Sequence, residues 1–267
     1  MTSAKIAWRS ILSHGRRSSV TIATIATGVA ATVIFGGFFQ ANYAGLRESV
    51  IRSQYGHLQI QREGWEKLNR TAPDSCRLEA AELERIDSLL KTDPRVLVSS
   101  RRIETSGLLG NSAGSQAAMV RGVDPGPESM INSSLTIVDG VDLADDDTEG
   151  ILLGQGLADA IGVRPGDHLD LLGTTSDGRM NAVDVKVAGI FQSYAKEFDD
   201  RAAITTLNRT QNLLGGPFVD KVVVLLTETD EVDAFLADFG AKASKAGLHL
   251  EYRTWKELAS FYQKVVD

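Results

Sequence analysis

Twenty consecutive residues without an ionisable side chain, Val20 to Phe39 (VTIATIATGVAATVIFGGFF), constrain this chain more than anything else in it. A helix rises about 1.5 Å per residue, so such a run reaches roughly 30 Å, the hydrocarbon thickness of a bilayer. A buried core helix rarely extends this far without one charge. A cleavable signal peptide fits the basic flank, but its apolar region stops after about 7 to 15 residues and precedes a small-x-small site. Cleavage after Ala41 or Ala44 would leave Phe39 or Asn42 where a small residue belongs. The expectation is a retained transmembrane helix over residues 20–42.

Charge sets its direction. The whole chain carries −7 from 28 basic and 35 acidic residues. Residues 1–19 hold Lys5, Arg9, Arg16 and Arg17 and no acid, so everything beyond is strongly acidic. Basic flanks stay on the cytoplasmic side, which puts the N-terminus inside and residues from 43 onward outside, in the periplasm if the host is a bacterium. An acidic exported part argues against nucleic acid as a partner. The mean hydropathy of −0.08 averages an apolar span with a polar domain.

Ala4, Ala7, Trp8, Ile11 and Leu12 recur at helical spacing, predicting an amphipathic helix on the inner membrane surface within residues 1–19. Lys5, Trp8, Arg9, Arg16 and Arg17 are its candidate membrane-surface anchors, and His14 to Arg17 the turn into the bilayer. In the span, Thr24, Gly28, Thr32 and Gly36 recur every four residues. Small side chains at that spacing let a second helix approach closely, so these four are a candidate packing face.

Beyond the span, Phe38 to Ser53 extends the helix as a stalk, and residues 55–61 (YGHLQIQ) alternate as a strand. Leu78 to Lys91 has helical period, Val96 to Leu109 and Gln116 to Val123 read as strands around a hairpin turn, and Asp124-Pro125-Gly126-Pro127 as a turn. Asp139 to Glu149 is acidic enough to suggest calcium but lacks the glycine and final glutamate of an EF-hand loop, so a solvated loop is expected. A helix over 155–161, strands near 168–172 and 182–190, and a helix over 206–214 follow. The chain then reads strand 219–226, helix 230–246, strand 248–252. This order predicts an α+β fold: an N-terminal transmembrane helix, then an exported domain over 43–254 whose two βαβ halves form one α/β subdomain and whose middle, about 115–216, is an inserted strand-rich subdomain.

Catalytic and cofactor motifs are wanting. The chain has no phosphate-binding loop, Gly154-Gln155-Gly156 lacks the third glycine of a dinucleotide fingerprint, and His14, His57, His168 and His249 are scattered without metal-ligand spacing. No catalytic, cofactor-binding or metal residues are assigned, and the single Cys76 reads as a small loop residue.

Ala7-Trp8-Arg9-Ser10-Ile11-Leu12, then Arg16-Arg17 and the glycine-containing span, resembles the start of ABC transporter permeases of the MacB/FtsX/LolC family. So do ILLGQGLADAIGVRPGDHLDLL (151–172) and VKVAGIFQSYAKEFDD (185–200). Gly154, Leu157, Ala158, Gly162, Val163, Gly166, Asp167, Gly189, Ile190, Phe191 and Asp199 match the family's periplasmic core domain; Ile161 and Tyr194 stand where Leu and Gly are usual. GHLQI (56–60) is closest to the lipoprotein-releasing branch. The resemblance implies a non-catalytic permease subunit in the bacterial inner membrane, with ATP and Mg on a separate cytoplasmic ATPase. Its other implied partners are a second permease subunit, identical or not, and a periplasmic lipoprotein carrier or adaptor. The family continues with three more membrane helices; residues 255–267 resemble the start of the helix returning to the membrane, so the chain is expected to be the N-terminal part of a longer permease. The competing expectation is a single-pass anchored sensor or adaptor.

Overall fold

The computed structural model describes residues 15–68, 73–112, 114–145, 147–193 and 195–258. Lys5, Trp8, Arg9, Tyr194 and residues 259–267 lie outside these. The described chain forms two compact units that divide after Glu48.

The first unit is a single helix. α1 spans Gly15–Val50, 36 residues and about 54 Å. Gly15, Arg16 and Arg17, expected to form a turn, are already helical, because arginine is a good helix former and no proline intervenes. Its apolar side chains are exposed along the whole span. The hydroxyls of Thr24 and Thr32 donate to the carbonyls of Val20 and Gly28, each at 2.9 Å, so these polar groups need no water.

The second unit starts with Ser49. A π-helical turn, Ile51–Tyr55, breaks the helical path at Arg52 (φ −90°, ψ 16°). Gly56 ends it with φ +65°; a side chain there would also overlap Val223. β1 (Leu58–Arg62) follows, then α2 (Trp65–Leu68), a 3-10 turn (Pro73–Cys76), α3 (Ala80–Lys91) and β2 (Val96–Asn111). Cys76 is fully buried in that turn, packed in place rather than set in an open loop. Helix α3 begins two residues later than its periodicity suggests, where the Glu79 N–H donates to the Glu82 carboxylate at 3.0 Å.

Then come β3 (Gly114–Val123), α4 (Pro125–Ile131), β4 (Thr136–Gly140), β5 (Gly150–Gly154), α5 (Gln155–Ile161), β6 (His168–Thr174) and β7 (Met180–Gln192). The chain continues with α6 (Lys196–Asp199), β8 (Ala202–Thr206), α7 (Leu207–Leu214), β9 (Lys221–Leu226), α8 (Val232–Lys245), β10 (Leu250–Thr254) and α9 (Trp255–Leu258). Several short elements escaped the sequence reading, among them α2, α4, α6, β4 and β8. Pro125-Gly126-Pro127 opens α4 instead of a plain turn, since proline is tolerated in a helix's first turn. The short strands β4 and β8 show no polar-apolar alternation.

β1, β2, β9 and β10 pair antiparallel in the order β10-β1-β9-β2, with α3 and α8 as crossovers. This is the split βαβ, ferredoxin-like arrangement, its two halves separated in sequence. Leu58 and Ile60 of β1, Leu83, Ile86 and Leu90 of α3, and Phe235 and Phe239 of α8 fill one core.

The 16-residue β2 leaves this sheet halfway. Its first part pairs with β9 and its second, from Arg102, with β3. From there β3 pairs with β8, β8 with β5, β5 with β7, β7 with β6, and β6 returns to β2 at Leu108–Gly110, closing a ring of six strands. Leu109, Val120, Leu153, Leu171, Val187 and Ala203 point into the ring. The ring thus begins inside β2, near residue 102, about a dozen residues before the start at 115 inferred for the inserted part.

Candidate functional site

The matching family residues gather around β5 and β7 and act structurally. A side chain at Gly154 would overlap the Asp199 carbonyl, and one at Gly189 the Val141 carbonyl. Leu157 and Ala158 are buried on α5, which Gly162 ends at φ +81°; Gly166 sits at φ +98° in the next turn. There the Asp167 carboxylate accepts the Arg164 N–H at 2.8 Å. Phe191 is fully buried against Phe198, and both oxygens of buried Asp199 accept the Ser193 N–H at 3.1 Å. These residues are close to one another, yet all are consumed by turns, core and capping, and none presents a reactive group.

On α1, Thr24, Gly28, Thr32 and Gly36 are all exposed, and a side chain at Gly28 or Gly36 would meet nothing within 4 Å. Nothing in the described chain uses the room these glycines leave. Arg16 and Arg17 are exposed at the start of the same helix. In the acidic segment, Asp139 belongs to β4. Asp145 and Asp147 accept the N–H groups of Gly126 and Gly150 at 2.7 Å each, so the loop is tied by its own backbone.

Sequence reasoning missed a polar groove of about 860 Å³ on the face of the ferredoxin-like sheet away from α3 and α8. On β1, Leu58 and Ile60 enter the core while Gln59 and Gln61 face the groove; pairing sets Gln61 beside Lys221 on β9. Three ion pairs stand in its wall. Lys221 Nζ lies 2.7 Å from Glu104, Arg253 2.7 Å from Glu66, and Arg77 Nε 3.2 Å from Asp220. Arg77 also donates to the Ser176 hydroxyl at 2.8 Å and stacks on Phe218, tying the β6–β7 turn to the segment that leads into β9.

Burial pushes the Asp220 carboxyl up to about 6, against the pull of the Glu104 N–H, Arg77 and Lys221. Burial also works to raise Glu104, but Lys221 and Arg121 outweigh it and hold that carboxyl well below its ordinary value. Deeper in, Arg102 is completely buried and 2.7 Å from Glu128 on α4, with Asn132 donating to the same carboxylate at 2.8 Å. Removing one partner would strand a buried charge, so the pair holds α4 to β2. No group of three or more metal-ligating side chains occurs among the described residues.

Helix and domain together define a class: a membrane-anchored α+β protein whose folded part joins a ferredoxin-like sheet to a six-stranded ring. Residues 18–242 match the family model of the MacB-like periplasmic core domain, and the chain belongs to that family. The periplasmic region of MacB from Actinobacillus actinomycetemcomitans shares the fold, with a TM-score of 0.58 and 13% identity over 81% of this chain and 96% of that one. So does the extracellular domain of the noncanonic ABC-type transporter YknZ from Gram-positive bacteria, at TM-score 0.53 and 13% identity over 74% and 97% of the two chains. No curated protein matches the chain.

Proposed function

We infer that the chain is a non-catalytic permease subunit of an ABC transporter, or its N-terminal part, which couples ATP hydrolysis on a separate cytoplasmic subunit to movements outside the membrane. The observation that carries this reading is the extent of the family match, which begins at residue 18 inside α1 and so takes in the span as well as the domain. In this reading the basic N-terminus is cytoplasmic and the domain periplasmic, in the bacterial inner membrane. Thr24, Gly28, Thr32 and Gly36 receive a neighbouring membrane helix, from the same permease or from a second permease subunit. Lipoprotein release through a periplasmic carrier, or efflux through an adaptor, is the work the assembly performs.

The test is co-purification of the full-length gene product from its own membranes. An ABC ATPase subunit in stoichiometric amount, with ATPase activity that falls when the permease is removed, is the expected result. A full-length protein that purifies without any ATPase contradicts the reading.

A further inference from the structure

The six-stranded ring turns one apolar face to solvent. Leu109, Val120, Leu171 and Val185 point into the ring, so their neighbours along each strand point out. Register sets Ala117 beside Leu108, Leu108 beside Leu172 and Leu172 beside Ala182, a row that runs across β3, β2, β6 and β7. One step further along the same four strands, Met119 pairs with Ser106 and Thr174 with Met180. Leu108 is 45%, Met119 56% and Met180 76% exposed. A sheet face that meets water carries polar side chains at its outward positions. These eight include no ionisable group, whereas the next outward positions do: Asp170 and Asp184 at one end, Glu104 and Arg121 at the other.

The two rows read alike from either side. About the line between β2 and β6 the first is Ala-Leu-Leu-Ala and the second Met-Ser-Thr-Met. A twofold axis along that line, with a second copy laid face to face, brings β2 onto the copy's β6 and β3 onto its β7. Leu108 then meets the partner's Leu172, Met119 the partner's Met180 and Ser106 the partner's Thr174, each contact occurring twice. Because the outside of a ring is convex, the leucines on the central strands touch first, and the long methionines on the outer strands reach across the widening gap. The charges agree. Asp184 lies opposite the partner's Ser115 and Asp170 opposite the partner's Gly110, so no two carboxylates meet. An axis along the strands also keeps Ser49 of both copies, where the chain enters the domain, at the same end, as two anchors in one membrane require. A twofold axis across the strands would put them at opposite ends.

We propose that this face binds a second copy of the chain in the same membrane, with the twofold axis along β2 and β6. Each outward residue covers about 33 Å² of sheet, so the patch amounts to about 260 Å² per copy. Stable soluble complexes bury about 800 Å² per partner. The contact therefore holds between copies already concentrated by their anchors. The proposal rests on the reading above in making the second permease subunit an identical copy, and its readout needs no ATPase.

The test is disulfide crosslinking in native membranes between two differently tagged full-length copies, one Ser106→Cys and the other Thr174→Cys. Cys76 is fully buried and stays silent. Mild oxidation should join this pair at least tenfold more than a Ser106→Cys and Lys91→Cys pair. Met119→Lys with Met180→Lys in both copies, changes at exposed positions that should leave the melting temperature as it is, should cut the crosslink at least tenfold. A crosslink no stronger than the control pair, or one that survives both lysines, overturns the proposal. So does a dimer of the full chain, seen by native mass spectrometry, that forms without this crosslink, since the copies then meet elsewhere. Ser106→Cys shielded from maleimide without crosslinking would assign the face to another protein and overturn it as well. An intact crosslink in a chain that purifies without any ATPase would contradict the functional reading alone.

Discussion

Valine is found at both extremes of exposure in this protein. Val20, Val29 and Val33 on α1 are 67%, 59% and 68% exposed, whereas Val222, Val223 and Val224 on β9 are 0% exposed. The same side chain cannot be stable in both settings in one solvent. Burying it is worth about 1.5–3 kcal/mol in water, so a helix that leaves such residues uncovered along its length has lipid as its surroundings. The domain solves the opposite problem. It covers both faces of β9, with α3 and α8 on one side and Gly56 against Val223 on the other.

One substitution made in each region separates the two. Val224→Asp puts an unpaired carboxylate in the core and should cost about 4–5 kcal/mol or more, enough to abolish the domain's cooperative melting, while the chain remains in the membrane fraction. Val29→Asp should do the reverse: membrane insertion loses about 2.5–3.5 kcal/mol and the melting temperature of the domain is unchanged. If both variants lowered the melting temperature alike, the helix would be part of a water-soluble core. Carbonate extraction and differential scanning calorimetry on the same preparations give the two readouts.

A third change sharpens the contrast between close packing in the domain and open space on the helix. Gly154→Ala should destabilise by about 1–3 kcal/mol, because backbone of Asp199 occupies the space. Gly28→Ala should leave both melting and membrane association as they are, since nothing in the described chain lies nearby.

A fourth effect, pH dependence, is confined to the domain. Asp220 holds its proton more tightly folded than unfolded, so its stabilising contribution is fully present below its unfolded value of 3.8 and is lost as the pH rises through about 6. Across that window it removes on the order of 1–3 kcal/mol. Glu104 works in the opposite sense, its contribution lost only when the pH falls through its depressed value. Denaturant titrations at pH 4.5 and 6.5 should therefore show a difference that Asp220→Asn diminishes.

Features that depend on neighbours in sequence were the legible ones. The apolar run identified α1, periodicity placed α3 and α8, and the glycines of 154–166 marked real turns. The position of Gln59 and Gln61 on one face of β1 follows from their alternation with Leu58 and Ile60. Their burial does not, because it arises from β9 and β10, more than 150 residues away. The same holds for Arg102 with Glu128 and Arg77 with Asp220: a charge in sequence reads as surface until its partner's place is known. β8 was hidden for another reason, since AAITT is buried along its whole length and has no polar face to alternate with. Closure of the ring rests on three register pairs between β2 and β6 that no local pattern announces.

The central claim is that one apolar helix anchors a MacB-like domain on the side of the membrane opposite its N-terminus. Cys76 is fully buried, so single cysteines can be placed against a quiet background. Ser3→Cys and Lys91→Cys, treated with a membrane-impermeant maleimide on intact spheroplasts and again after lysis, measure the claim directly. The account predicts labelling at position 91 in intact spheroplasts and at position 3 only after lysis. Labelling at position 3 from outside, or protection of position 91 until lysis, would contradict it.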